Sequence, residues 1–282
     1  MSLNNDNYKN RKRPPPAKHF DPYGKRKDFD EQDSNSSGTN EIIEGRNAVL
    51  EAIRAGVAID KVLISKGETD SALRHIASTA RESGTVVVDA DRRKLDSLST
   101  THTHQGVIAF VSCVEYSTVE HILEKAEASG EKALIVICEA ISDPHNLGAI
   151  IRTCEAVGAH GVIIPKRRSA GLGATVAKAS SGAVFHTPVA RVPNISATIK
   201  QLKKSGLWIF GADSDGESTL WQADFNVPTA LVIGSEGSGI SRLVSENCDF
   251  LVNIPMFGEI SSLNASVSAG ILMYEVIRQR SL

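Results

Sequence analysis

At 282 residues the chain is long enough for two domains, at roughly 100–200 residues per domain. Hydrophobic residues make up 41% and charged residues 23%, a balance that fits a globular protein and excludes a wholly disordered or fibrous one. The net charge of -2 excludes a polycation, so any affinity for nucleic acid must come from local basic patches.

Residues 1–40 read as a disordered basic tail. Lys9, Arg11, Lys12, Arg13, Lys18, Lys25, Arg26 and Lys27 surround Pro14-Pro15-Pro16, and an acidic run from Asp28 to Asp33 and a Ser/Asn/Gly stretch follow. Too little apolar surface is present to offset ordering entropy. Such a tail is either a flexible arm for RNA phosphates or simply solvated.

Residues 41–114 predict a small α/β domain. Gly45 to Ala55 reads as an amphipathic helix with Val49, Leu50 and Ile53 on one side. A strand over Lys61 to Ser65 follows, then a helix capped by Asp70 and running through Arg81. Thr85 to Val88 reads as a strand, Asp91 to Leu98 as a short helix and Gly106 to Val111 as a strand. Between the last two, His102 and His104 suggest a metal pair, but no third ligand stands at helix or hairpin spacing, so no metal is expected.

Residues 115–282 alternate strand and helix. After a linker helix over Thr118 to Ala128, strands are predicted at 133–138, 161–164, 207–211, 230–233 and 250–254. Helices are predicted at 147–157, 174–180, 195–204, 240–246 and 264–280, the last with Val267, Ile271, Leu272 and Val276 as its apolar face. Buried apolar strands alternating with helices predict a parallel sheet covered on both faces. Cys113, Cys138, Cys154 and Cys248 are widely spaced with no CxxC pair, which predicts four reduced thiols in a cytoplasmic protein. No secretory signal is apparent, and no apolar run approaches the ~18 residues of a membrane span.

Three polar clusters follow strands of this second domain. In Asp143-Pro144-His145-Asn146-Leu147-Gly148, Asn146 is placed to cap a helix that carries Arg152, a guanidinium in an apolar segment and suited to phosphate recognition. Gly234-Ser235-Glu236-Gly237-Ser238-Gly239 is a glycine-rich turn that lets backbone approach a ligand closely. Its GxxGxG order is not the dinucleotide fingerprint, and Glu236 would repel a pyrophosphate. In the third cluster, Ile254-Pro255-Met256 leads to Ser261-Ser262-Leu263-Asn264, with more polar groups than one helix cap requires. Two further stretches are less telling. Asp213-Ser214-Asp215-Gly216 resembles the start of a calcium loop without the remaining ligands, and Lys166-Arg167-Arg168 is a basic turn, either solvated or touching RNA backbone.

Together these clusters resemble the SpoU/TrmH-type RNA ribose 2′-O-methyltransferases of the SPOUT class, from about Glu41 to the end. The likeness is nearest to the branch that acts on a guanosine of 23S rRNA. Glu44-Gly45-Arg46 and His104-Gln105-Gly106 resemble the marks of that family's small RNA-binding domain. The resemblance implies an S-adenosylmethionine (AdoMet) methyl donor, a C-terminal parallel-sheet domain with a trefoil knot, a homodimer and an RNA partner. By motif matching, Gly211, Gly234, Ile254, Met256 and Leu263 would contact AdoMet. Asn146, Arg152, Glu236, Ser262 and Asn264 would form the catalytic constellation, and Arg46, His104, Gln105, Lys166, Arg167 and Arg168 would meet RNA. Ser238 and Ala265 depart from the family's common Lys and Val, and Gly171-Leu172-Gly173 reads as a loosened loop. The alternatives are a tRNA guanosine 2′-O-methyltransferase, disfavoured by the separate N-terminal domain, and a non-catalytic RNA-binding or ribosome-assembly protein, disfavoured by the intact polar set. A guanidinium is a poor base, so Arg152 is expected to clamp the substrate and stabilise alkoxide, with the proton acceptor unassigned.

Overall fold

The computed structural model describes residues 42–67, 70–235 and 237–281, so the predicted tail over 1–40 lies outside the described residues. The first sheet contains β1 (Ile42–Glu44), β2 (Ile59–Ser65), β3 (Val86–Ala90) and β4 (Val107–Val111), in the order β1-β4-β2-β3. β2 and β3 are parallel, and the other pairs are antiparallel. Helices α1 (Arg46–Arg54) and α2 (Ser71–Glu82) bury Val49, Ile53, Leu73 and Ile76 against one face. Helix α3 (Arg92–Leu98) places Leu95 against Leu63, Ile108 and Phe110 on the other. Asp70 caps α2, its side chain accepting from the Ala72 N–H at 2.8 Å.

Helix α4 (Val119–Ser129) leads to the second sheet, whose strands all run parallel. They are β5 (Leu134–Cys138), β6 (Gly161–Pro165), β7 (Val189–Val192), β8 (Trp208–Ala212), β9 (Ser218–Thr219), β10 (Thr229–Ile233) and β11 (Phe250–Asn253), ordered β7-β6-β5-β10-β8-β11-β9. Strand β5 shows why both faces need cover. Leu134, Val136 and Cys138 join α5 (Pro144–Ala156), α6 (Ala174–Ala179) and α9 (Ala265–Arg280), while Ile135 and Ile137 face α4, α7 (Ile195–Lys204) and α8 (Arg242–Ser245). All four cysteines are free.

The structure differs from the sequence reading in several places. Strands β1, β7 and β9 are additional. On α9, Leu272 and Val276 are buried as expected, but Val267 is 48% and Ile271 37% exposed. The inward face is Ala269, Leu272, Met273 and Val276, which leaves a second apolar face outside. The Gly171–Gly173 loop is packed rather than loosened. Leu172 is fully buried, its carbonyl accepts from the Cys113 N–H at 2.7 Å, and a Cβ on Gly171 would fall inside the Asp60 carboxylate.

Candidate active site

Strands β10, β8 and β11 are neighbours and parallel, so their carboxyl ends open on one edge of the sheet, where ligands bind in open α/β folds. A cavity of about 820 Å³ lies there. Its walls are residues 212–215 at the end of β8, residues 233–235 and 237–239 at the end of β10, and residues 252–256 and 261–263 at the end of β11, with Ala265 and Ser268 from α9. The β10 turn closes on itself: Ser235 and Gly239 exchange backbone hydrogen bonds at 3.1 and 2.9 Å. A Cβ on Gly234 would overlap the Gly239 carbonyl, so only glycine permits this approach. Glu139, beyond β5, anchors the end of the turn by accepting from the Ser241 N–H at 2.9 Å and hydroxyl at 2.6 Å.

Of the expected cofactor residues, Gly234, Ile254, Met256 and Leu263 line the cavity. Gly211 does not. It is buried one residue earlier in β8, where a Cβ would meet Ile240 at 2.8 Å and Cys248 and Leu251 at 2.9 Å. Its small size serves packing under the cavity, and Ala212 provides the wall. Asp213 and Asp215, set aside in the sequence reading, stand in that wall, with the Asp213 carboxylate accepting from the Asp215 N–H at 3.0 Å. The available signal was their place just after a predicted strand.

Asn146 is not the helix cap that its spacing suggested. Asp143 caps α5 by accepting from the His145 N–H at 2.8 Å, and Pro144 occupies the first turn, where no N–H is needed. The Asn146 side chain is thereby released from capping, and its Oδ1 accepts from Asn264 Nδ2 at 2.9 Å. Asn264 caps α9 with its other end: Oδ1 accepts from the Ser266 N–H at 2.9 Å, the Ser266 hydroxyl at 2.6 Å and the Val267 N–H at 3.3 Å. This bridge joins the start of α5 to the rim of the cavity. Ser262 is exposed in the same rim. Arg152 lies further along α5, exposed and without an ion pair to any described residue. It is not in the cavity wall. Glu236 lies outside the described residues.

In the N-terminal domain, His104 corrects an expectation. It is 3% exposed, its Nδ1 accepts from the Gly106 N–H at 3.0 Å, and its Nε2 donates to Asp96 at 2.9 Å. Both ring nitrogens are engaged inside the domain, one by the Gly106 backbone and one by Asp96 of α3, which leaves neither for RNA. Gln105 and Arg46 meet each other: the Gln105 side-chain oxygen accepts from the Arg46 N–H at 3.1 Å, supplying the cap that Gly45 lacks. Arg46 also pairs with Asp70 at 2.6 Å. Burial alone would raise the neighbouring Glu44 carboxyl, but hydrogen bonds from Ser99, Thr101 and Thr100 outweigh it and hold its pKa at about 2. In the basic turn, Arg167 and Arg168 are exposed, and Lys166 donates to the Gly84 carbonyl at 3.2 Å. Among the described residues no three His, Cys, Asp or Glu side chains gather as a metal site requires.

Residues 133–274 match the SpoU rRNA Methylase family, and residues 42–117 match the RNA 2'-O ribose methyltransferase substrate binding family. The chain belongs to the SpoU rRNA methylase family. This SpoU-family chain is 44% identical over 245 residues to YacO of Bacillus subtilis (strain 168), named for the TrmH family of tRNA/rRNA methyltransferases, covering 87% of this chain and 98% of YacO. It is 45% identical over 240 residues to a relative named for the same family from Staphylococcus saprophyticus, covering 85% and 96%. Its fold is similar to that of the SpoU methyltransferase AviRb from Streptomyces viridochromogenes, solved in complex with AdoMet. The TM-score is 0.55 at 28% identity, over 85% of this chain and 90% of AviRb. The architecture is thus that of a SPOUT methyltransferase, with which the trefoil knot goes, preceded by a substrate-binding domain. The chain is an RNA 2′-O-ribose methyltransferase of this family.

Proposed function

We propose that this SpoU-family enzyme methylates the ribose 2′-hydroxyl of a guanosine in 23S rRNA, in the cytoplasm and as a homodimer, with AdoMet as donor. The observation that carries the methyl-transfer reading is the cavity at the ends of β8, β10 and β11, with the Asn146–Asn264 bridge on its rim. The separate substrate-binding domain supports the rRNA reading, because the tRNA alternative is the simpler enzyme without such a unit.

The residues present suit AdoMet. A volume of about 820 Å³ falls within the ~300–1,000 Å³ of ligand sites. Ile233, Val252, Ile254, Met256 and Leu263 offer apolar surface for a purine, and Asp213 and Asp215 offer acceptors for hydroxyls or a cation. When bound, the donor supplies a methyl group already activated on a sulfonium sulfur. The work left to the chain is orientation. Gly234 and Leu263 would hold the donor by backbone and Ser262 the target nucleotide, while the Asn146–Asn264 bridge keeps α5 and α9 in fixed register, which favours near-attack geometry. Arg152 would clamp the substrate and stabilise negative charge developing on the 2′-oxygen.

The test is methyl transfer from labelled AdoMet to total RNA, followed by mapping of the methylated ribose. Incorporation at a 23S guanosine is the expected result. Incorporation confined to tRNA would move the enzyme to the tRNA class, and none in any RNA, with AdoMet binding intact, would leave a non-catalytic binder. In the same assay Arg152→Ala is expected to slow transfer by about 10²–10³ with an unchanged calorimetric AdoMet affinity. A comparable loss of AdoMet binding would remove Arg152 from the role assigned to it.

A further inference from the structure

A second cleft, of about 660 Å³, lies between the two sheets and away from the donor cavity. One wall is the face of β3 that carries Val86 and Val88, with Lys61 and Phe110 beside it. The other is the basic turn Lys166-Arg167-Arg168. Its mouth reaches Ser142 and Pro144, at the start of the helix that carries Asn146.

The cleft is fixed in width by a clamp built around the buried Asp60. Tyr116, in the segment joining the domains, donates its hydroxyl to the Asp60 carboxylate and accepts from the Leu172 N–H at 3.2 Å. Arg191, on β7, donates to the Asp60 carbonyl at 2.7 Å, approaches its carboxylate at 3.7 Å and lies 5.0 Å from the centre of the Tyr116 ring. The same guanidinium donates to the Lys166 carbonyl at 3.2 Å, so the clamp holds the root of the basic turn. Arg168 sits there at a φ of 59°, a left-handed conformation that persists only where its surroundings enforce it.

The lining has two characters. Lys61, Lys166, Arg167 and Arg168 supply positive charge against Asp89, since Asp60 is engaged by Arg191. Val86 and Val88 supply apolar surface, Val88 being 39% exposed. A cationic track beside an apolar wall is the combination that single-stranded nucleic acid requires, phosphate on one side and base on the other. A cleft of this volume admits nucleotides singly and not a paired helix, and sequence-reading proteins take their RNA unpaired. We propose that the interdomain cleft is a subsite for an unpaired RNA segment adjoining the methylated nucleotide, with Lys61, Lys166, Arg167 and Arg168 as its phosphate contacts and Asp60, Tyr116 and Arg191 as positioning residues that set its width. The proposal rests on the methyl-transfer reading only for where the strand leads.

The test uses the full-length enzyme and a fluorescein-labelled single-stranded decauridylate, with a ten-base-pair RNA duplex alongside. Arg167 and Arg168 are exposed, so Arg167→Ala with Arg168→Ala leaves the fold intact, as its melting temperature will show. This double variant is expected to weaken single-strand binding by about tenfold and to flatten the slope of log affinity against log salt by about 1.4, or roughly 0.7 per lost contact. Arg167→Lys with Arg168→Lys retains the slope. Tyr116→Phe, which keeps the ring and removes the hydroxyl, raises the KM for RNA while leaving kcat and AdoMet affinity in place. An alanine double variant with unchanged affinity and slope would overturn the subsite. So would an equal loss of duplex binding, which would put the turn on a helical RNA surface. Both readouts are independent of turnover, so wild-type methyl transfer continuing through such a result would show that the subsite alone had failed.

Discussion

Asn264 performs two tasks with the two ends of one amide, and substitution separates them. Its oxygen caps α9, and its nitrogen donates to Asn146. Asn264→Asp keeps the capping oxygen and adds a negative charge at a helix N-terminus, where it is favourable. It removes the donor, however, so Asn146 would have to reverse its amide to keep the bridge. Asn264→Ala removes both, with a cap loss of about 1 kcal/mol. The aspartate variant is therefore expected to melt at or above the wild-type temperature and the alanine variant below it, with both transferring methyl at least about tenfold more slowly. Initial rates and thermal unfolding of the same preparations check this. Full activity in the aspartate variant would reduce Asn264 to a cap.

At the scale of elements, α5 carries Arg152 and the Asn146 that bridges to the cavity rim, and its seat depends on Gly148. A Cβ there would stand 2.5 Å from the Ala179 Cβ and 3.0 Å from the Ser180 nitrogen and Val176 carbonyl of α6. Alanine in place of a helical glycine gains about 1 kcal/mol of propensity, while overpacking costs about 1–3 kcal/mol. Because two of the three obstructing atoms are backbone, the cost prevails. Gly148→Ala is expected to lower the urea midpoint with an unchanged m-value. A raised midpoint would show that α6 can yield. Most helices and central strands were legible in the sequence because apolar period decides them. The capping of α5 was legible too, since Asp143-Pro144 places the cap before the proline, yet Asn146 drew the assignment through its spacing. Strands β1, β7 and β9 were not, being two to four residues long, with pairing settled by tertiary context. Nor was the clamp. Asp60 lies 56 residues from Tyr116 and 131 from Arg191, and no local pattern links them. Two walls of the cavity were legible as polar clusters after strands, at Gly234 and at residues 261–264, whereas the third, at Asp213 and Asp215, and the inward turn of His104 are visible only in the folded protein.

At the scale of the whole molecule, the outer face of α9 is unfinished in a single copy. Its inner face is buried in the core, but Val267, Ile271 and Tyr274, at spacings of four and three, form an apolar stripe toward solvent. Phe257 and Ile260, in the loop that precedes the helix, are also apolar and 89% and 72% exposed. A helix that is apolar on two faces is the mark of one buried on both, and a continuous exposed apolar patch marks an interaction site. A second copy is the partner that the family resemblance implies, and it would lie beside the cavity, whose wall includes Ala265 and Ser268 of the same helix. Dimerisation would therefore complete the surroundings of the site. The wild type is expected to run at twice 30.2 kDa in light scattering after size exclusion. Ile271→Asp with Tyr274→Asp should run as a monomer, because each carboxylate would be desolvated in the interface at a cost of several kcal/mol, while costing the solvated face of an isolated chain little. Methyl transfer should fall in step with the loss of dimer and recover in part at high protein concentration. A wild type that is monomeric at micromolar concentration, yet fully active, would refute the dimer and leave the α9 stripe without its partner.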